Sequence, residues 1–99
     1  MSKSRVVKDY EKLETEIKEQ VKLNFLNGFD KHLITFKNHK NKFVSALPFE
    51  TEDRYFLIRM SQELARKIIK EDEDYDELGH MKSEIKAAYT EKYKEVTKG

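Results

Sequence analysis

Six carboxylates fall within seven residues, at Glu71, Asp72, Glu73, Asp74, Asp76 and Glu77, with only Tyr75 between them. Clustered oxygens are what hard divalent cations bind, and Asp72, Asp74 and Asp76 have the alternate spacing of a calcium loop. His80 adds a nitrogen donor nearby. An EF-hand loop counted from Asp72 needs glycine at its sixth position and glutamate at its twelfth. Those positions hold Glu77 and Ser83, so the match fails where the chain must turn and where the coordination must close. Asp72, Asp74, Asp76 and His80 are metal-ligand candidates by residue type alone, and the sequence assigns them no metal. Six like charges repel one another along a helix, so the run reads as a hydrated break between two helices. Its remaining chemistry is electrostatic: it has the sign to meet a basic hairpin in this chain or in a neighbour.

That basic segment is Lys31 to Lys42, with Lys31, Lys37, Lys40 and Lys42 and no acid. His32, His39, Phe36 and Phe43 are interleaved, and Arg54 follows. Sheets that bind single-stranded nucleic acid combine cations with exposed aromatics that stack on bases. Lys31, Lys37, Lys40, Lys42 and Arg54 are accordingly the nucleic-acid candidates. The plainer reading is that lysines at hairpin tips keep sheet edges from pairing, with Phe36 and Phe43 in the core. The formal net charge of +1 supplies no global attraction for a polyanion. Tyr89 and Tyr93, four residues apart, read as a packing stripe rather than a catalytic dyad.

The common catalytic signatures are missing. The chain has no cysteine, which excludes disulfides, thiolate metal sites and cysteine nucleophiles. Its glycines are Gly28, Gly79 and Gly99, too dispersed for a phosphate-cradling loop. No serine lies in a G-x-S-x-G elbow, and His32, His39 and His80 form no H-E-x-x-H. We assign no catalytic residue and no cofactor. The N-terminal residues lack the apolar region of a secretory signal, and the apolar runs fall far short of a bilayer span. A cytoplasmic protein is expected.

These residues must be placed by secondary structure. With 39% charged and 37% apolar residues the chain is polar, but its eleven aromatics (five Tyr, six Phe) are spread along its length, as one shared core requires. Residues 1–8 read as a frayed start. Tyr10, Leu13, Ile17, Val21 and Phe25 make one helical stripe, predicting a helix over 9–25 capped by Asp9 and stopped by Asn27-Gly28. Residues 32–36 and 43–47 read as a β-hairpin whose second strand ends near Pro48, because proline donates nothing to a ladder. Residues 54–60 form the clearest strand. Ser61 is placed to cap a helix carrying Leu64, Ala65, Ile68 and Ile69. Met81, Ile85, Ala88, Tyr89, Tyr93 and Val96 predict a last helix over 80–96.

The expected architecture is one α+β domain over 1–99, in the order α-β-β-β-α-α. Its three-stranded antiparallel meander is packed by one N-terminal and two C-terminal helices. In the strand over 54–60, Phe56, Ile58 and Met60 point one way and Tyr55, Leu57 and Arg59 the other. A strand wetted on one face would alternate more cleanly. Either helices reach both faces or one face meets another chain, which makes Tyr55, Leu57 and Arg59 interface candidates. Arg59 is expected to pack its stem and reach water with its head, or else to join a buried ion pair or hold an anion.

Three segments carry a resemblance: Ala46-Leu47-Pro48-Phe49-Glu50-Thr51-Glu52-Asp53 with Tyr55 and Arg59-Met60, then Asp72 through Asp76 with Gly79, then Tyr89 with Lys92-Tyr93. Together they resemble a family of small bacterial proteins with no assigned activity, over most of the chain after Asp9. The resemblance implies a bacterial, soluble, single-domain protein and brings no site residues with it. The leading functional expectation is a non-enzymatic module that binds another protein or itself, as a homodimer. Nucleic-acid binding through the hairpin over 31–42 is the alternative, followed by a divalent-cation protein at 71–77.

Overall fold

The computed structural model describes residues 3–94. It has an α+β architecture, with three α-helices and a four-stranded mixed sheet among the described residues. The segment expected to fray is a strand, β1 (Ser4–Asp9). It pairs in parallel with the strand Arg54–Arg59, in the register Val6 to Phe56 and Lys8 to Ile58. Local pattern hides this strand, because Val6 and Val7 are its sole apolar residues and its partner lies about fifty positions away. The helix α1 (Thr15–Asn24) follows, then β2 (Ile34–Lys37), β3 (Phe43–Glu50), β4 (Arg54–Arg59), α2 (Gln62–Glu71) and α3 (Ser83–Lys92). The predicted meander is present as β2-β3-β4, but β1 joins its β4 side to give the order β1-β4-β3-β2. The observed order is therefore β-α-β-β-β-α-α, with one parallel and two antiparallel pairings.

The predicted first helix is interrupted. Tyr10–Lys12 forms a 3₁₀ turn, Leu13 is extended, and α1 begins only at Thr15 after Glu14. Asp9 does not cap it; Asp9 ends β1 and pairs with Arg59. The stripe nonetheless reaches the core from both sides of the break, with Leu13 and Val21 buried and Tyr10, Ile17 and Phe25 packed against them. α1 closes through Phe25, and Gly28 turns the chain at φ 100°, a conformation open to glycine and costly for other residues.

Pro48 lies inside β3 rather than ending it, opposite Leu57. The Met60 amide donates to the Ser45 carbonyl at 3.2 Å, which sets the alternation of the β3–β4 ladder. By that alternation the Pro48 nitrogen faces the β2 side, and β2 has already ended at Ile34 opposite Ala46. No ladder bond is lost there, so the proline costs the sheet little.

The core lies between one face of the sheet and the helices. Leu47, Phe49, Phe56, Ile58 and Met60 pack with Val21 of α1, Ala65 and Ile69 of α2, and Phe29, Tyr75 and Met81 of the connections. Phe29 is fully buried and meets Tyr10 and Phe25 at ring-centroid distances of 5.6 and 6.1 Å. Ser61 caps α2 as expected, accepting from the Leu64 amide at 3.0 Å. The acidic run ends α2, and residues 72–82 form a turn-rich connection before α3. Val96 and the last predicted residues of that helix lie outside the described residues. The molecule measures 43 × 35 × 20 Å, a thickness of about two layers of secondary structure. Among the described residues no helix is long and apolar enough to cross a membrane.

Candidate functional site

With the core on one side, no residue of the opposite face of the sheet belongs to the core cluster or packs against it. Register assigns Val7, Leu57 and Pro48 to one row across this face, and Asp9, Arg59, Ala46 and Ile34 to the next. Val44 and Phe36 continue it. Leu57, between Val7 and Pro48 in register, is only 1% exposed. Val7 and Ile34 remain 44% and 39% exposed. Of the interface candidates, then, Leu57 forms the floor, while Tyr55 and Arg59 lie on the same surface. Substituting Leu57 would test packing rather than contact with a partner.

This face is concave. A groove of about 430 Å³ runs between β1 and the β2–β3 hairpin, within the roughly 300–1,000 Å³ range of ligand sites. Val44, Leu57, Val7 and Phe36 are its apolar lining, and Arg5, Arg59, Lys37 and His39 its basic one. Asn38 completes it, and no carboxylate lines it. Arg59 is partly neutralised, because its Nε donates to Asp9 Oδ1 at 2.9 Å. Arg5, Lys37, Lys40 and Lys42 have no acidic side chain within ion-pair distance among the described residues. Asn38 holds the hairpin tip in shape, its Oδ1 accepting from the Lys40 and Lys42 amides at 2.9 and 3.1 Å.

The five nucleic-acid candidates are not brought together. Lys37, Lys40 and Lys42 share the hairpin. Lys31 instead lines a cleft with Asp30, Asp76 and Glu77 on the helical side, and Arg54 starts β4 beside Ser4. Arg5 takes the place those two leave; sequence reasoning passed over it because it lies in the segment read as frayed. Phe36 and Phe43, expected in the core, are half-buried and 72% exposed respectively. Alternation puts Phe43 on the core face of the sheet with its register partner Lys37, but it is not packed against the core cluster, and Lys37 Nζ lies 5.2 Å from its ring centroid.

The acidic run meets a different cation from the one its sign suggested. Lys22 of α1 is only 8% exposed, and its ammonium donates to Asp72 Oδ2 at 2.9 Å and Asp74 Oδ2 at 2.6 Å. Burial opposes the charged ammonium, but the two carboxylates outweigh it and raise the pKa above that of an ordinary lysine. Burial likewise opposes an ionised Asp74, yet hydrogen bonds from Lys22 and from Tyr89 (2.6 Å) hold its pKa below the usual range. Tyr75, the one interruption of the run, is buried and donates to the Phe25 carbonyl at 2.8 Å. Asp76 turns away, its Oδ1 accepting from the Leu78 and His80 amides at 2.9 and 3.0 Å. The four metal-ligand candidates thus do not converge, and the described residues contain no group of three or more His, Asp or Glu side chains placed to hold a metal ion. The arrangement is a clamp joining α1, α3 and the connection between α2 and α3. Sequence signals Lys22 only faintly, as a lysine adjacent to the buried Val21.

No family model, no curated protein and no solved structure matches the chain.

Proposed function

We propose that this protein is a non-catalytic binding module that receives its partner on the uncovered face of the sheet. One observation carries the reading: the helices cover one face, and the other is a groove with an apolar floor and uncompensated cations. Exposed apolar surface rimmed by polar groups marks binding surfaces in many proteins. The groove's charge also bears on the partner. A second copy docked face to face by a two-fold axis would set the same cationic patch against itself. Electrostatic complementarity therefore favours an anionic partner over self-association. The buried Lys22 cluster supports a structural role instead, because its polar atoms are already satisfied by one another.

Amide chemical-shift mapping tests the reading. The protein is titrated with heparin as a generic polyanion, and separately diluted as a self-association control. Shifts on addition of heparin should centre on Val7, Phe36, Val44 and Arg59 and leave α3 unmoved. Shifts confined to the helical side would sink the proposal. Concentration-dependent shifts at the groove in the absence of heparin would replace the anionic partner with a second copy.

A further inference from the structure

Resting on that reading, we infer that the partner is single-stranded nucleic acid, bound across the groove and the β2–β3 hairpin. Three features favour a strand over other anions. The cations are distributed, with Arg5 on one wall, Lys37 on the other and Lys40 and Lys42 at the tip. That spacing suits a chain of charges better than a single ion. An exposed ring stands at the hairpin: Phe43 is 72% exposed, next to Lys37 and, by strand alternation, on the face of the hairpin opposite the groove. Phe36 adds a half-buried ring within the groove. An acidic peptide would gain little from such rings, whereas every base has a flat face that stacks on an aromatic and tolerates any sequence. Finally, Asn38 fixes the tip through the Lys40 and Lys42 amides, and Asn41 adopts φ 63° there. The lysines thus stand on an ordered turn that does not have to be organised on binding. Phosphates are expected along Arg5, Lys37, Lys40 and Lys42, with bases toward Phe36 in the groove and, where the strand passes round the edge strand β2, toward Phe43 on the far face of the hairpin.

Fluorescence anisotropy with labelled oligothymidylate and oligouridylate provides the test, with labelled polyglutamate as the competing anion. Both oligonucleotides should bind, more weakly as salt rises. The combined substitution Lys37→Glu, Lys40→Glu and Lys42→Glu should weaken binding at least tenfold and flatten the salt dependence. Lys31→Glu makes the same kind of charge change on the helical side and should leave affinity within about twofold. Phe43→Ala should lose about tenfold while retaining the salt dependence, because it removes stacking and not charge. Phe43 is exposed, so that variant folds, which circular dichroism verifies. Wild-type affinity in Phe43→Ala would reduce the binding to generic polyanion attraction and overturn the inference. Polyglutamate binding at the same lysines without oligonucleotide binding would overturn it and leave the binding module standing. Failure of all three probes at low salt would overturn both.

Discussion

Lys22 sits beside a buried position of α1, and its ammonium has to be neutralised where it lies. Asp72 and Asp74 do this within hydrogen-bond distance, and Tyr89 satisfies Asp74 further. Removing one partner of a buried ion pair leaves the other charge stranded. Lys22→Met should therefore cost about 3 kcal/mol in urea denaturation, the lower end of the usual range because both aspartates keep some contact with water. Adding Asp72→Asn and Asp74→Asn should recover part of that loss. A Lys22→Met protein as stable as the parent would show that the clamp contributes nothing. Gly28 is a second instance of a residue chosen by its surroundings. A methyl group there would meet no atom closer than 3.7 Å, so the cost of Gly28→Ala is conformational, about 1–2 kcal/mol, and Gly28→Asn should cost less. The acidic run was legible as a break between helices from its like charges, and Ser61 as a cap from its position. That the run closes on Lys22 was not, because fifty or more residues separate the partners.

Among the elements, β1 departs most from local expectation. Ser4 donates to the Asp53 carbonyl at 3.2 Å, and in a parallel ladder alternate residues of a strand bond to the same neighbour. The amides of Val6 and Lys8 should therefore exchange slowly with deuterium, and those of Arg5 and Val7 quickly. Uniformly fast exchange from 4 to 9 would restore the frayed end. Val6→Pro should destabilise the protein by about 1–3 kcal/mol, since it removes a ladder donor facing β4 and leaves the partner carbonyl unsatisfied. Pro48 supplies the opposite lesson: proline inside a strand is tolerated where the neighbouring strand has ended. The hairpin, β4 and α2 were legible because their signals are local. α1 was misplaced at its start because Tyr10 and Leu13 continue the helical stripe while the backbone between them leaves the helix.

At the level of the whole molecule, the clamp and the other paired or buried titratable groups set the limits of stability with pH. The carboxyls of Asp74 and Glu19 lie below their usual range despite burial, through bonds from Lys22 and Tyr89 and from Lys92 and Tyr93 respectively. A depressed carboxyl contributes stability that is present above about pH 4 and lost as pH falls through the folded value. The Lys22 ammonium is raised by its aspartates, and burial pushes the Tyr10 hydroxyl up to about 12. Their contribution is full below about pH 10 and lost above it. Urea midpoints should thus form a plateau through neutral pH and fall at both ends; a midpoint at pH 3 equal to that at pH 7 would contradict the role given to Asp74. An α+β chain with an antiparallel meander, a capped α2 and a charged interruption between two helices can be read from the residues alone. Those follow from side-chain periodicity, capping chemistry and charge repulsion within a few residues. Long-range packing is what makes β1 complete the sheet, brings Lys22 to the acidic run and leaves one sheet face outside the core beside Arg5 and the hairpin. Each of these depends on which distant segments meet, and a pattern only a few residues long carries no information about that.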